Sequence, residues 1–170
     1  MKKLIIFLFF FFYFEYSFAE NKIAYIDINN ILNNSIVGKS ISAHINNIKE
    51  KKNKEFAILQ SQLIKKEEDI IKKKNIIEKN EFEKQVDDLK KEIDDYSIQR
   101  KNFDREVEEK KIKYTKIVLN TLNTIISKYV EENSISFVFP KKNIIIAKKN
   151  LDITTFIMDL LNKELKQINF

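Results

Sequence analysis

The chain contains no cysteine and no tryptophan, and only one glycine, one proline and one histidine among its 170 residues. Without thiols no disulfide can brace the fold, and thiol catalysis and thiolate metal ligation are excluded. His44, the single histidine, has no second histidine with which to form a zinc site. It lies among Ile41, Ile45 and Ile48, where it reads as a residue of a helix surface or a helix pair rather than a general base. One glycine makes no glycine-rich phosphate loop and no nucleophile elbow. Nor can one glycine and one proline punctuate a barrel of many short strands. These shortages leave long, uninterrupted elements, helix above all.

Charge is plentiful but mixed, 31 Lys and Arg against 25 Asp and Glu, for a net charge of +6. That balance permits acidic partners without requiring them. Lysine, asparagine and isoleucine are used so heavily throughout that the lysine count by itself says little about function.

The opening "MKKLIIFLFFFFYFEYSFAE" is the most specific local signal. Lys2 and Lys3 form a basic start, Leu4 to Phe14 an apolar stretch of eleven residues, and Ser17-Phe18-Ala19 the small-residue pattern before a cleavage site. Residues 1–19 are therefore expected to be a signal peptide, cleaved before Glu20. The apolar stretch is short for a membrane span, although an uncleaved anchor continuing through Phe18 is the alternative. No later segment approaches eighteen apolar residues.

Beyond it, "NKIAYIDINN" predicts a strand over Lys22 to Asp27, with Asp27 placed to cap the next helix. Ile31, Leu32 and Ile36 suit one face of a short helix, and Gly38 marks its junction with a longer one. From Lys39 to Glu132 there is no glycine or proline. Phe82, Val86, Leu89, Ile93, Tyr96, Arg100, Phe103, Val107, Lys110, Tyr114 and Ile117 step by four and three, the rhythm of a left-handed coiled coil. Ile41, Ile45, Ile48, Lys52, Phe56, Leu59, Leu63, Lys66, Ile70 and Ile77 give the first half, with a stutter between Lys52 and Phe56. A single helix over this span would be about 140 Å long, so the chain is expected to reverse near residues 74–82, where Asn75 and Asn80 weaken helix.

Segment 39–132 carries 22 basic and 19 acidic residues, a net of +3. It reads as a solvated coiled-coil surface, not a nucleic-acid tract. Around the reversal Lys65, Lys66, Lys72, Lys73, Lys74 and Lys79 outnumber the neighbouring acids, which makes them candidates for contact with a bound partner. After Ser134 the period changes. "ISFVFP" and "NIIIA" predict strands over Ile135 to Phe139 and Asn143 to Ala147, and "NLDITTFIMDLLNKEL" a final amphipathic helix capped by Asp152 or Thr154. Two strands make no stable sheet alone, so the first strand is their expected partner.

The resulting fold class is α+β. Residues 20–38 and 133–170 form a small body at which the chain's two ends meet, and residues 39–132 form a helical hairpin projecting from it. Such a body has little core and open strand edges, which points to an oligomer joined through it.

"KIAYIDINNILNNSIVGK" and "SISFVFPKKNIIIAKKNLDIT...IMDLLNK" resemble the two terminal blocks of the OmpH/Skp-like periplasmic chaperones, and the charged coiled coil lies between them in the family's order. The resemblance implies a homotrimer in the periplasm whose three hairpins surround a cavity and hold unfolded outer-membrane proteins without ATP or any cofactor. It assigns Ile23, Tyr25 and Ile28 to the first strand of the oligomerisation body, Phe137, Val138, Phe139, Ile144, Ile145 and Ile146 to its later strands, and Gly38 to a hinge into the arm. Leu151, Asp152, Ile153 and Thr154 match the start of the last helix. A transient contact with a membrane surface is compatible with this picture; catalysis, metal and nucleic acid have no place in it. The alternative function is a structural or adaptor coiled coil of the cell envelope.

Overall fold

The computed structural model describes residues 22–170, so the expected signal peptide and its cleavage site lie outside the described residues. Strand β1 (Lys22–Ile26) leads into helix α1 (Ile28–Asn34). At that junction the Asp27 carboxylate accepts from the Asn30 N–H at 2.9 Å, satisfying one of the free donors at a helix start. The chain then bends at Ser35, whose hydroxyl accepts from the Gly38 N–H at 3.1 Å and caps helix α2 (Ile36–Lys73). Residues 74–78 form the reversal, and helix α3 (Lys79–Glu132) runs back beside α2. At 1.5 Å per residue these helices are about 57 and 81 Å long.

Helix α3 ends with Ser134 at φ 52°, the left-handed conformation that commonly closes a helix. Strand β2 (Ile135–Pro140) follows and pairs in parallel with β1. Ile23 lies opposite Phe137, Ala24 opposite Val138, Tyr25 opposite Phe139 and Ile26 opposite Pro140. Two short 3₁₀ turns (Lys141–Asn143 and Lys149–Leu151) precede helix α4 (Thr154–Glu164). The α+β class, a small β body built from both terminal segments plus a long antiparallel helical hairpin, is therefore the observed fold.

The second late strand does not form. Residues 143–147 are the end of a 3₁₀ turn and irregular backbone, with Ile145 and Ile146 fully or almost fully exposed. β propensity needs a ladder partner to act on. The free side of β1 is instead met by the start of α4, through the Tyr25–Asp152 bridge and the Ile153 N–H donating to the Tyr25 carbonyl at 3.0 Å.

The core lies where these pieces converge. Ala24 and Ile26 from β1, Ile31 from α1, and Val37, Ile41 and Ile45 from α2 pack with Tyr114, Val118, Leu122 and Ile125 from α3 and Ile157 and Leu161 from α4. The two-stranded sheet would be marginal by itself and is held by this helical packing. Inside the body the heptad count also changes: the buried positions run Val107, Tyr114, Val118, Leu122, Ile125, while Ile117, which the four-three rhythm would bury, is 37% exposed. Steps of four turn the helix towards several neighbours at once rather than towards one coiled-coil partner.

Candidate functional site

Among the described residues no group of three or more His, Cys, Asp or Glu is placed to hold a metal ion. The surface to be explained is instead spread over two regions, the hairpin and the outer face of the sheet.

The hairpin is packed in separate patches. Phe56 on α2 is 2% exposed and meets Tyr96 and Phe103 of α3 edge-on, each at 5.8 Å between ring centres. Lys52 and Arg100 lie over the same ring at 5.3 and 5.5 Å. Ile70 and Leu89 form a second patch nearer the reversal. Between the two the seam opens into a cleft lined by Leu59, Leu63, Tyr96 and Gln99 and closed on one side by the Lys66–Glu92 ion pair at 2.5 Å. Polar residues at seam positions weaken the knobs-into-holes contact there.

Of the six lysines singled out near the reversal, three are engaged: Lys66 with Glu92, Lys72 with Asp69 at 3.5 Å, and Lys79 with Glu83 at 3.7 Å. Lys65, Lys73 and Lys74 form no ion pair among the described residues and are exposed. Glu67, Glu68 and Glu78 are likewise exposed and in no ion pair among the described residues, so they offset these three. Heptad reasoning missed a second set. Ile58, Ile64, Ile71 and Ile76 from α2 and the reversal, and Ile98 and Ile112 from α3, are 50–80% exposed. They lie outside the seam, and the signal that could have found them is apolar side chains at positions that should be polar in a solvated coiled coil.

On the body, parallel pairing puts each pair of opposed residues on the same face of the sheet. Ala24 and Val138 point inward to the core. Ile23, Phe137 and Phe139 are 45%, 58% and 46% exposed on the other face, where the two phenyl rings stack at 6.2 Å. Tyr25 shares that face but is buried, with Lys141 over its ring at 6.0 Å. Of the remaining body positions, Val138 is half-buried against the core; Ile28, expected in the first strand, is instead the first residue of α1 and is half-buried there; Ile144 is half-buried, and Ile145 and Ile146 stand in solvent. Among the described residues nothing covers the apolar patch of Ile23, Phe137 and Phe139 on the outer face of the sheet.

Gly38 is not between helices. It lies in the first turn of α2, buried against the α1 backbone, and the bend falls three residues earlier at Ser35. At the other junction Asp152 accepts from both the backbone N–H and the hydroxyl of Thr154 and pairs with Lys141 at 3.2 Å. The Thr154 hydroxyl in turn accepts from the Asp27 N–H at 2.9 Å, so the end of β1 and the start of α4 are held together. His44 stacks on Phe170 and meets Tyr114 edge-on, a packing role.

The family model described as "OmpH: Outer membrane protein (OmpH-like)" matches residues 22–161. Among solved structures, a chain from Caulobacter crescentus CB15 described as an outer membrane chaperone (OmpH-like) superposes with a TM-score of 0.79 over 93% of this chain and 95% of its own, at 22% sequence identity. No curated protein sequence matches the chain.

Proposed function

The chain belongs to the OmpH-like family of periplasmic chaperones, and on that premise we propose that it is an ATP-independent holdase that keeps unfolded outer-membrane β-barrel proteins from aggregating in the space between its arms. The observation that carries the reading is the set of exposed isoleucines along both helices of the hairpin, outside the seam that holds the helices together. An unfolded barrel strand presents alternating apolar side chains. A holdase has to meet such a chain at many points weakly, because tight binding at one point would obstruct release. Ile58, Ile64, Ile71, Ile98 and Ile112 give dispersed contacts of that kind, and the exposed Lys65, Lys73 and Lys74 near the tip stand among the exposed Glu67, Glu68 and Glu78.

The body supports assembly as a homotrimer in the same reading. The number three comes from the family resemblance; the exposed side chains of Ile23, Phe137 and Phe139 on the sheet and of Ile145 and Ile146 beyond it supply apolar surface for joining copies. Cleavage before Glu20 would release the mature chain to the periplasm.

The deciding experiment dilutes a urea-unfolded outer-membrane barrel protein into buffer with and without the mature chain and follows light scattering. Suppression at stoichiometric ratios is expected, and replacing Ile58, Ile64, Ile71, Ile98 and Ile112 together by Ser should abolish most of it while helical content is kept. A chain with no effect on scattering and no affinity for the unfolded barrel would be a structural or adaptor coiled coil instead. Mass spectrometry of the envelope-fraction protein checks the start at Glu20.

A further inference from the structure

The segment that follows α4 does not leave the surface. After the Leu165 N–H closes the helix on the Leu161 carbonyl at 2.8 Å, residues 166–170 return to the helix pair. Ile168 is 9% exposed and joins the core that contains Ile41, Ile45 and Tyr114. Phe170 stacks on His44 at 3.9 Å with the rings 9° from parallel, and it meets Tyr114 edge-on at 5.3 Å. Three rings, one each from α2, α3 and this segment, thus interlock at one level.

That level lies near the root of the hairpin. Below it the core is continuous through Ile41, Ile45 and Val118; above it the core continues on α3 to Val107, with Ile48 and Phe103 packed on it, while the next fully buried side chain of α2 is Phe56, about three turns further on. Helix α2 is also gripped from α4 at a second point, where the Ile36 N–H donates to the Asn162 side-chain oxygen at 2.8 Å. Residues 36 and 44 are about 12 Å apart along the helix. Val37, Ile41 and Ile45 already pack α2 into the core between these heights, and the two contacts add to that packing in setting its tilt. The two differ in kind: the first is a hydrogen bond at a helix start, while among the described residues no hydrogen bond or ion pair ties residues 166–170, and half of the Phe170 ring is exposed.

We propose that residues 165–170 are a releasable latch that fixes the tilt of the hairpin on the body, with Phe170 seated on His44 and Tyr114 as its closed state. Release lets the arm pivot at its root while the body stays folded. The consequence for capture, a change in the width available between arms, rests on the chaperone reading; the latch itself does not.

The absence of cysteine makes the test direct, since Asn75→Cys at the reversal and Asn150→Cys in the body accept two spin labels with no native thiol to remove. Labelled chain diluted into excess unlabelled chain reports the intrachain distance by pulsed electron resonance. Phe170→Ala and His44→Ala should each at least double the width of the distribution, the double variant should add nothing further, and Phe170→Tyr should restore the narrow form. Amide exchange should rise roughly tenfold over residues 40–48 in Phe170→Ala and stay unchanged at Val118 to Ile125. A Phe170→Ala distribution that overlays the wild type overturns the proposal, as does loss of protection throughout Val118 to Ile125, which would make the segment ordinary core. The distance measurement needs no client, so a chain that captures nothing yet broadens on latch removal would remove the chaperone reading and leave the latch standing.

Discussion

Gly38 and Leu32 touch through their backbones: a Cβ placed on Gly38 would stand 1.9 Å from the Leu32 carbonyl oxygen. The obstacle is main chain, so no rotamer change can relieve it. Gly38→Ala must open the angle between α1 and α2, on which Val37 and Ile31, both 0% exposed, depend. Overpacking of this kind costs about 1–3 kcal/mol, and a clash with backbone belongs at or above the upper end. Urea unfolding should show a lower midpoint with unchanged slope.

In the arm, one aromatic knot should outweigh any ion pair. Phe56→Ala deletes a ring with 2% exposure and its contacts to Tyr96 and Phe103, a change that costs about 3–5 kcal/mol in a packed site. Lys66→Met removes the Lys66–Glu92 pair, whose side chains are 43% and 47% exposed, and pairs so exposed contribute roughly 0–1 kcal/mol. Amide exchange along residues 50–63 should rise sharply in the first variant and barely in the second. Equal effects would mean the hairpin is held by charge.

The parts of this fold that were legible in the sequence are those set by local chemistry or by period. Asp27 before a helical run caps it, and the four-three rhythm marks a seam at Leu89, Tyr96, Phe103, Val107 and Tyr114, though Ile93 in the same rhythm is 43% exposed. What was not legible depends on partners far along the chain. The strand expected over 143–147 has good β propensity but finds no ladder among the described residues, where the free side of β1 is met by Asp152 and Ile153. The bend lies away from the glycine for a related reason: a glycine suggests freedom, but here it is required by the approach of α1, while the turn itself is made by Ser35. The exposed isoleucines were passed over because a heptad search looks only along the seam.

The Asp152 junction should respond to pH at both ends of the scale. Burial pushes the Asp152 carboxyl up, but hydrogen bonds from the Thr154 hydroxyl and backbone N–H, followed by Lys141, hold it below its ordinary value of 3.8. A carboxyl depressed in the folded state stabilises that state above pH 3.8, and the contribution is lost as pH falls through the depressed value. Lys141 is held above its ordinary 10.5, by its hydrogen bond to Asp152 first and then by the carboxylate charge, so its contribution is present below pH 10.5 and lost as pH rises through the raised value. Asp152→Asn should lower stability near neutrality and lose less than wild type when either limb is entered. Parallel limbs in the two proteins, read by thermal melting, would refute the assignment.

The outer face of the sheet gives the test of assembly. Phe137→Asp places a carboxylate on a face whose neighbours are Ile23 and Phe139, and Phe137 is 58% exposed in the single chain. If that face stays open, the change is a surface substitution worth within about 0.5 kcal/mol. If copies join there, an unpaired buried carboxylate costs several kcal/mol and the assembly dissociates or unfolds. Light scattering coupled to size exclusion should find a trimer for wild type at micromolar concentration and a smaller species for the variant. A wild-type monomer would defeat the assembly proposal.

Arm length separates capture between the arms from binding on the body. Residues paired across the hairpin, Lys66 with Glu92, show that Lys65 to Ile71 on α2 lies beside Asp88 to Asp94 on α3. Deleting both sevens keeps each helix in heptad register and leaves the Phe56 knot and the body untouched. It also removes Ile71 and Lys65 with the Ile70–Leu89 patch, so the distal arm has to be re-closed by Leu63 and its neighbours. The arm shortens by about 10 Å, at 1.5 Å per residue. Large unfolded barrels should therefore lose protection before small ones, while circular dichroism and mass remain those of a folded assembly. Charge acts differently: with only +3 over residues 39–132, raising salt should weaken capture modestly, since exposed charges are screened over roughly 10 Å at 0.1 M while apolar contacts persist. Equal protection of both client sizes by both arm lengths would place binding on the body surface, and a steep salt dependence would transfer the weight from the isoleucines to Lys65, Lys73 and Lys74.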